Sequence, residues 1–109
     1  MRIASEKLAE VVLVDVVKGI AEGKALDIED ARWLLGYPNG CAGTDDFSAL
    51  AGAEVIVVTA GFARKPGETR QDLLNKNSRL VKDISLKIKQ YSPNSIVIVV
   101  TNPVDIMTY

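Results

Sequence analysis

The sequence predicts an α/β fold built on a parallel sheet, and three observations carry that reading. Val11-Val-Leu-Val14, Val55-Ile-Val-Val58 and Ile96-Val-Ile-Val-Val100 are continuous, largely β-branched apolar runs without polar alternation, the pattern of strands buried on both faces. A helical repeat of apolar residues fills the interval between the last two runs. Polar, charged and turn-forming residues collect just after each run, where open α/β sheets gather their ligands. With 109 residues there is room for one domain, which can hide roughly 65% of the surface that its unfolded chain exposes.

Taken in order, the first strand runs from Val11 to Val14 and ends in Asp15. Residues 20–35 are helix-prone, with Ile20, Ala21, Lys24, Ala25, Ile28, Ala31 and Leu35 along one side. The segment Gly36-Tyr-Pro-Asn-Gly-Cys-Ala-Gly43 reads as the loop that stops this helix; its glycines lack the G-x-G spacing of a phosphate cradle. Trp33 and Phe47 read as packing residues. The strand at 55–58 runs into Thr59-Ala-Gly61. From Thr69 to Tyr91, Leu73, Leu74, Leu80, Val81, Ile84, Ile88 and Tyr91 recur at helical spacing. Thr69 is the N-cap there, Asp72 a short version of the capping-box acid, and Pro93 lies past the end. The last strand exits into Thr101-Asn-Pro103. Strands alternating with helices give βαβ units with right-handed crossovers.

Composition removes several function classes. Thirteen Lys and Arg against fourteen Asp and Glu leave a net charge of -1 with no basic cluster, so a nucleic-acid partner has no electrostatic footprint. There is no histidine, hence no imidazole to act as general base or metal ligand. The lone Cys41 allows neither an internal disulfide nor a zinc cluster, has no basic neighbour to activate it, and points to a reducing compartment. Acidic residues precede any apolar stretch at the N-terminus, which is wrong for a secretory signal. No apolar run approaches the 18 or so residues of a membrane span. The expectation is a cytoplasmic protein with no membrane partner.

Candidate site residues stand at the strand exits. Asp15 is placed to accept the hydroxyls of an adenosine ribose, or else caps the turn before Lys18-Gly19. Arg64 and Arg70 lie six residues apart across Pro66-Gly67; each guanidinium is a planar fork suited to a carboxylate, and the plain alternative is a solvated loop. Asn102 can donate and accept at once, which suits a group interconverting between hydroxyl and carbonyl, or it simply ends the strand before Pro103. Asn77 reads on pattern as an amide on the helix surface.

Seven segments in order carry a family resemblance: Ala9-Glu-Val-Val-Leu-Val-Asp-Val16, Gly23-Lys-Ala-Leu-Asp27, Val57-Val-Thr-Ala-Gly61, Arg64-Lys-Pro-Gly67, Arg70-xx-Leu73-Leu74, Asn75-Lys-Asn77 and Val100-Thr-Asn-Pro-Val-Asp105. Together they resemble the lactate/malate dehydrogenase family, and most of all its malate-oxidising members, over essentially the whole chain. The resemblance implies NAD as cofactor, with Asp15 on the adenosine ribose and Asn77, Val100, Thr101 and Asn102 at further cofactor-contact positions. It also implies a small dicarboxylate substrate, malate or oxaloacetate. Arg64 would take the distal carboxylate, Arg70 would polarise the carbonyl from a mobile loop, and Asn102 would hydrogen-bond the reacting oxygen. An uncharged residue at position 64 would point to lactate instead.

The resemblance has two gaps within these 109 residues. The family's opening strand and its G-x-G-x-x-G loop have no counterpart, and Arg2 to Glu10 resembles the tail of the helix that should follow them. The implied fold for residues 1–109 is therefore a partial dinucleotide-binding domain: an incomplete Rossmann-type doubly wound parallel sheet lacking the first βα unit. The neighbours of that central strand would either face an empty slot or pair with each other. The family's proton-relay histidine, its aspartate partner and a fixed arginine correspond to positions beyond Tyr109. The chain alone is thus expected to bind NAD very weakly and to show no turnover. For the parent, the resemblance implies a homo-oligomer serving the tricarboxylic acid cycle. The alternatives are a lactate-type dehydrogenase and a non-catalytic Rossmann-like remnant or assembly module. A receiver-type signalling domain fails because Thr101-Asn102-Pro103 stands where that fold expects a basic residue.

Overall fold

Four short strands, paired in parallel two by two, and several helices make up the computed structural model, which describes residues 2–109. In chain order these are α1 (Arg2–Ser5), β1 (Val11–Val14), α2 (Ile20–Leu35), β2 (Cys41–Thr44), a 3-10 turn (Phe47–Leu50), β3 (Val55–Val58), α3 (Arg70–Tyr91), β4 (Ile96–Val99) and α4 (Val104–Thr108). The chain divides into two compact units, Met1–Ala49 and Leu50–Tyr109, each with its own two-stranded parallel sheet.

In the first unit β1 pairs with β2 in the register Val11↔Cys41 to Val14↔Thr44, and the Asp15 N–H extends the ladder to the Thr44 carbonyl. The expected loop over 36–43 is corrected here: residues 36–40 are irregular, but Cys41–Thr44 is a strand. Cys-Ala-Gly-Thr has little intrinsic strand preference, so propensity hides it and the ladder with β1 enforces it. Close packing against α2 adds to this. A Cβ at Gly43 would lie 2.1 Å from the Ala21 carbonyl oxygen and 2.5 Å from the Glu22 nitrogen, so only glycine lets the helix backbone come this near. Ala21 and Ala25, both buried, complete that contact face with the smallest side chains available. Glu29 accepts the Cys41 N–H, and the Tyr37 hydroxyl donates to the Ile28 carbonyl, fixing the return from helix to strand.

Trp33 corrects a second expectation. It is 80% exposed rather than packed. The inner stripe of α2 runs through Ala21, Ala25 and Ile28 at helical spacing, and position 33 falls off it. The ring is instead partly covered by the Arg32 guanidinium, 5.3 Å from its centroid. Phe47, in the 3-10 turn, is half-buried.

In the second unit β3 pairs with β4 in the register Val55↔Ile96 to Val58↔Val99. The expectation of strands covered on both faces is not met. Ile56 and Val58 are buried, Val55 and Val57 are exposed, and along β4 Ile96, Val97 and Ile98 are exposed. The pleat sends successive side chains to opposite faces, so covering one face leaves β3 with a period-two burial that its uniform sequence conceals. Between the strands, α3 begins as expected: Thr69 Oγ1 accepts the Asp72 N–H, and the Asp72 carboxylate accepts the Thr69 N–H, a complete capping box. Val81 and Ile88 are buried along α3, and Met107 of α4 is buried as well. At the start of the strands the Ser92 and Ser95 hydroxyls both donate to the Ala53 carbonyl.

Candidate functional site

In the first unit the candidate is Asp15, at the carboxyl end of β1. Its Oδ1 accepts the Val17 N–H at 2.9 Å, the local turn described above as the plain alternative. Its Oδ2 has no hydrogen-bond partner among the described residues, so one carboxylate oxygen stays open to a hydroxyl donor. The two readings of Asp15 are therefore compatible, one for each oxygen.

In the second unit the strand exits are braced by a buried amide. Asn77, on the second turn of α3, is 3% exposed. Its Oδ1 accepts the Phe62 N–H at 2.8 Å, just past β3, and its Nδ2 donates to the Asn102 carbonyl at 3.2 Å, just past β4. The helical pattern puts Asn77 on the helix surface, but the structure buries it. The missed signal is that its bonding partners are backbone groups 15 and 25 residues away, which no local periodicity encodes. Thr101 is also buried, its hydroxyl donating to the Ala60 carbonyl at 2.7 Å. Gly61 lies against both, since a Cβ there would come within 3.0 Å of Thr101 Cγ2. The Val100 N–H is held in the ladder by the Val58 carbonyl, and its side chain is exposed. The Asn102–Pro103 peptide is cis. The Asn102 side-chain amide is exposed and has no partner among the described residues, so its donor and acceptor are both available.

The arginine loop leaves this braced end at Phe62. Arg64 Nε donates to the Glu68 carbonyl at 2.9 Å, while its two terminal nitrogens carry no partner among the described residues. Arg70, the first residue of α3, has neither hydrogen bond nor ion pair there. Sequence reasoning missed Glu68. Its Oε1 pairs with Lys76 Nζ and its Oε2 accepts the Lys65 N–H at 3.1 Å. Lys76 above all, then the Lys65 N–H, holds the Glu68 carboxyl below the usual carboxylate range. Thr69 does the same for Asp72 through its hydroxyl and its N–H.

The second unit thus brings together Asn77, Thr101, Asn102 and the start of the loop bearing Arg64 and Arg70; Asp15 stands in the first unit. In the second unit the chemistry on offer is anion recognition by the two free terminal nitrogens of Arg64, the unpaired Arg70 guanidinium and the free Asn102 amide; in the first it is one carboxylate oxygen open to a hydroxyl. Among the described residues no group of three or more His, Cys, Asp or Glu is placed to hold a metal ion. No helix there is long and apolar enough to cross a membrane.

Comparison with known proteins bears on this arrangement. The pattern of the lactate/malate dehydrogenase NAD binding domain matches residues 1–109. The malate dehydrogenase of Methanosarcina barkeri is 45% identical over 108 residues, 99% of this chain and 35% of that protein. That of Chlorobium luteolum is 46% identical over 110 residues, 100% of this chain and 36% of that protein. The chain spans about a third of the length of the curated relatives it matches. Among solved structures, apo malate dehydrogenase from Picrophilus torridus superposes with a TM-score of 0.92 at 44% identity, covering 97% of this chain and 34% of that one. Malate dehydrogenase from Archaeoglobus fulgidus in complex with NADH gives 0.83 at 49% identity, covering 93% and 34%.

Proposed function

The chain belongs to the lactate/malate dehydrogenase family through its NAD binding domain, and from that premise we propose that it forms part of a malate dehydrogenase, which moves hydride between (S)-malate and NAD to give oxaloacetate. The observation that carries the reading is the arginine loop: Arg64, bonded only through Nε and with both terminal nitrogens free, and the unpaired Arg70, flanking Pro66-Gly67 on a loop tied through Asn77 to the exit of β4. A dicarboxylate needs a cationic site for its second carboxylate that a monocarboxylate does not, and a second cation is wanted where charge develops on the carbonyl oxygen. Arg64 is the ligand for the distal carboxylate, where its fork makes paired charge-assisted hydrogen bonds. Arg70 faces the carbonyl on which alkoxide charge develops, a placement worth several kcal/mol in a water-poor site. Asn102 donates to that oxygen in the ketone and accepts from it in the alcohol.

NAD supplies the hydride acceptor when bound. The residues present fit it: Asp15 Oδ2 is an open acceptor for a ribose hydroxyl, and Val100 and Thr101 present a fixed strand exit alongside Asn102. Asn77, assigned to the cofactor by the resemblance, serves it within the second unit by bracing the exits of β3 and β4. The chain's 109 residues include no histidine, and the reading gives none of them the proton-transfer role. It places the working protein in the cytoplasm as a homo-oligomer in the tricarboxylic acid cycle, with no nucleic-acid or membrane partner.

The test is NAD reduction by the intact gene product with (S)-malate and with lactate, repeated for Arg64→Gln. Malate is expected to be the preferred substrate. Loss of a charge-assisted fork of about 1.5–3 kcal/mol should lower kcat/KM for malate roughly ten- to a hundredfold and move the preference toward lactate. Absence of malate-dependent NAD reduction, or a malate-to-lactate ratio untouched by Arg64→Gln, would overturn the reading.

A further inference from the structure

We propose that Glu68 is a positioning residue for Arg64, with Lys76 as its anchor on α3; the inference rests on the reading of Arg64 as the distal-carboxylate ligand. The loop around Glu68 is exposed from Gly61 to Gly67, yet the Glu68 side chain is only 9% exposed. All four of its polar atoms are engaged. The Glu68 N–H donates to the Lys65 carbonyl at 3.1 Å, closing the turn Lys65-Pro66-Gly67-Glu68. Pro at the second position and Gly67 at φ +82° in the third are what a type II turn asks for. The Glu68 carbonyl takes Arg64 Nε, Oε2 takes the Lys65 N–H, and Oε1 pairs with Lys76.

The consequence concerns Arg64 before any ligand arrives. Held through Nε, the guanidinium has given up part of its rotational freedom, and the two terminal nitrogens that make a fork remain unbound. Ordering a long side chain in advance removes a cost that binding would otherwise carry. A turn closed only by its own backbone would move with the loop; the Glu68–Lys76 pair ties it to the second turn of α3, the helix that also carries Asn77. The fork is thereby referenced to the same helix that fixes the strand exits. Lys76 lowers the Glu68 carboxyl below the usual carboxylate range, so the pair stays charged further into acid than a lone glutamate would.

The experiment uses the intact gene product carrying Glu68→Gln, Lys76→Met, the exchange Glu68→Lys with Lys76→Glu, and Arg64→Gln. Two readouts are taken: the rate of tryptic cleavage after Arg64, and KM and kcat for oxaloacetate. Each single change in the pair is expected to speed cleavage and to raise KM roughly two- to fivefold, the reach of a partly exposed ion pair, with kcat nearly constant. The exchange should recover part of both. The proposal is overturned if both single variants leave KM unchanged, if kcat falls as much as KM rises, or if the exchange recovers nothing. Should Arg64→Gln itself leave KM for oxaloacetate unmoved, it is the assignment of Arg64 that fails, and the tie between Glu68 and Lys76 is then judged by cleavage alone.

Discussion

Replacing Gly43 with alanine should be the most damaging one-carbon change in the first unit. The new Cβ would sit 2.1 Å from the Ala21 oxygen, 2.3 Å from its carbonyl carbon and 2.5 Å from the Glu22 nitrogen, against 3.4 Å where ordinary contact begins. All three obstacles are main-chain atoms of α2, so no side chain can swing aside. The helix must lift by more than an ångström, uncovering Ala21 and Ala25, or β2 must leave its ladder with β1. Overpacking a well-filled contact costs about 1–3 kcal/mol, and an obstruction made of backbone belongs at the top of that range. For a chain of this size each kcal/mol is worth roughly 4–8 °C in Tm. Urea unfolding followed by far-UV circular dichroism measures the loss. Gly23→Ala is the matched control: nothing lies within 4 Å of its Cβ, and it stands inside α2, so alanine should stabilise by about 0.5–1 kcal/mol. If Gly43→Ala unfolds at the same urea concentration as the parent, the reasoning from close backbone approach is wrong.

Three further outcomes are expected. Asn77→Ala leaves the Phe62 N–H and the Asn102 carbonyl without their partner and should cost about 2–4 kcal/mol; Asn77→Asp keeps the acceptor for Phe62 but loses the donor, so hydrogen exchange at the Phe62 amide should quicken more in the first variant than in the second. Thr69→Ala removes the cap of α3 and should cost about 1 kcal/mol by thermal melting. The pH dependence of that cap has a definite sign. Thr69 holds the folded Asp72 carboxyl below its ordinary value, so its contribution is complete above about pH 4 and is lost as pH falls through the lower folded value. Asp72→Asn should flatten that acid limb, and an unchanged limb would refute the assignment.

How far the sequence discloses this molecule depends on the range of the interactions involved. The α3 helix is legible because its cap, its acid three residues on and its apolar stripe all lie within the helix itself. The cores of β1, β3 and β4 are legible as β-branched runs. By contrast, β2 is invisible: Cys-Ala-Gly-Thr is chosen for fitting under α2, and that requirement is set by Ala21 and Glu22, some twenty residues earlier. Trp33 misleads for a related reason, since an aromatic ring suggests packing while helical phase decides which way it faces. Within the site, Arg64, Arg70 and Asn102 announce themselves by chemical type at strand exits. The roles of Asn77 and Glu68 are set by bonds to partners that the helix and turn bring near, and neither residue differs in type from an ordinary surface amide or acid.

The uncovered side of β3 and β4 bears on how the molecule must be handled. A two-stranded ladder offers main-chain donors and acceptors along its outer margins. Beside that margin runs Ile96-Val-Ile-Val-Val-Thr101, six residues with no charge, no proline and no glycine, and Ile96 is 66% exposed. Such a segment is the raw material of a steric zipper, in which copies of one strand template the next. Encounters between copies scale with their number, whereas melting does not. For these 109 residues taken by themselves, dilution rather than cooling is therefore the condition expected to keep copies apart.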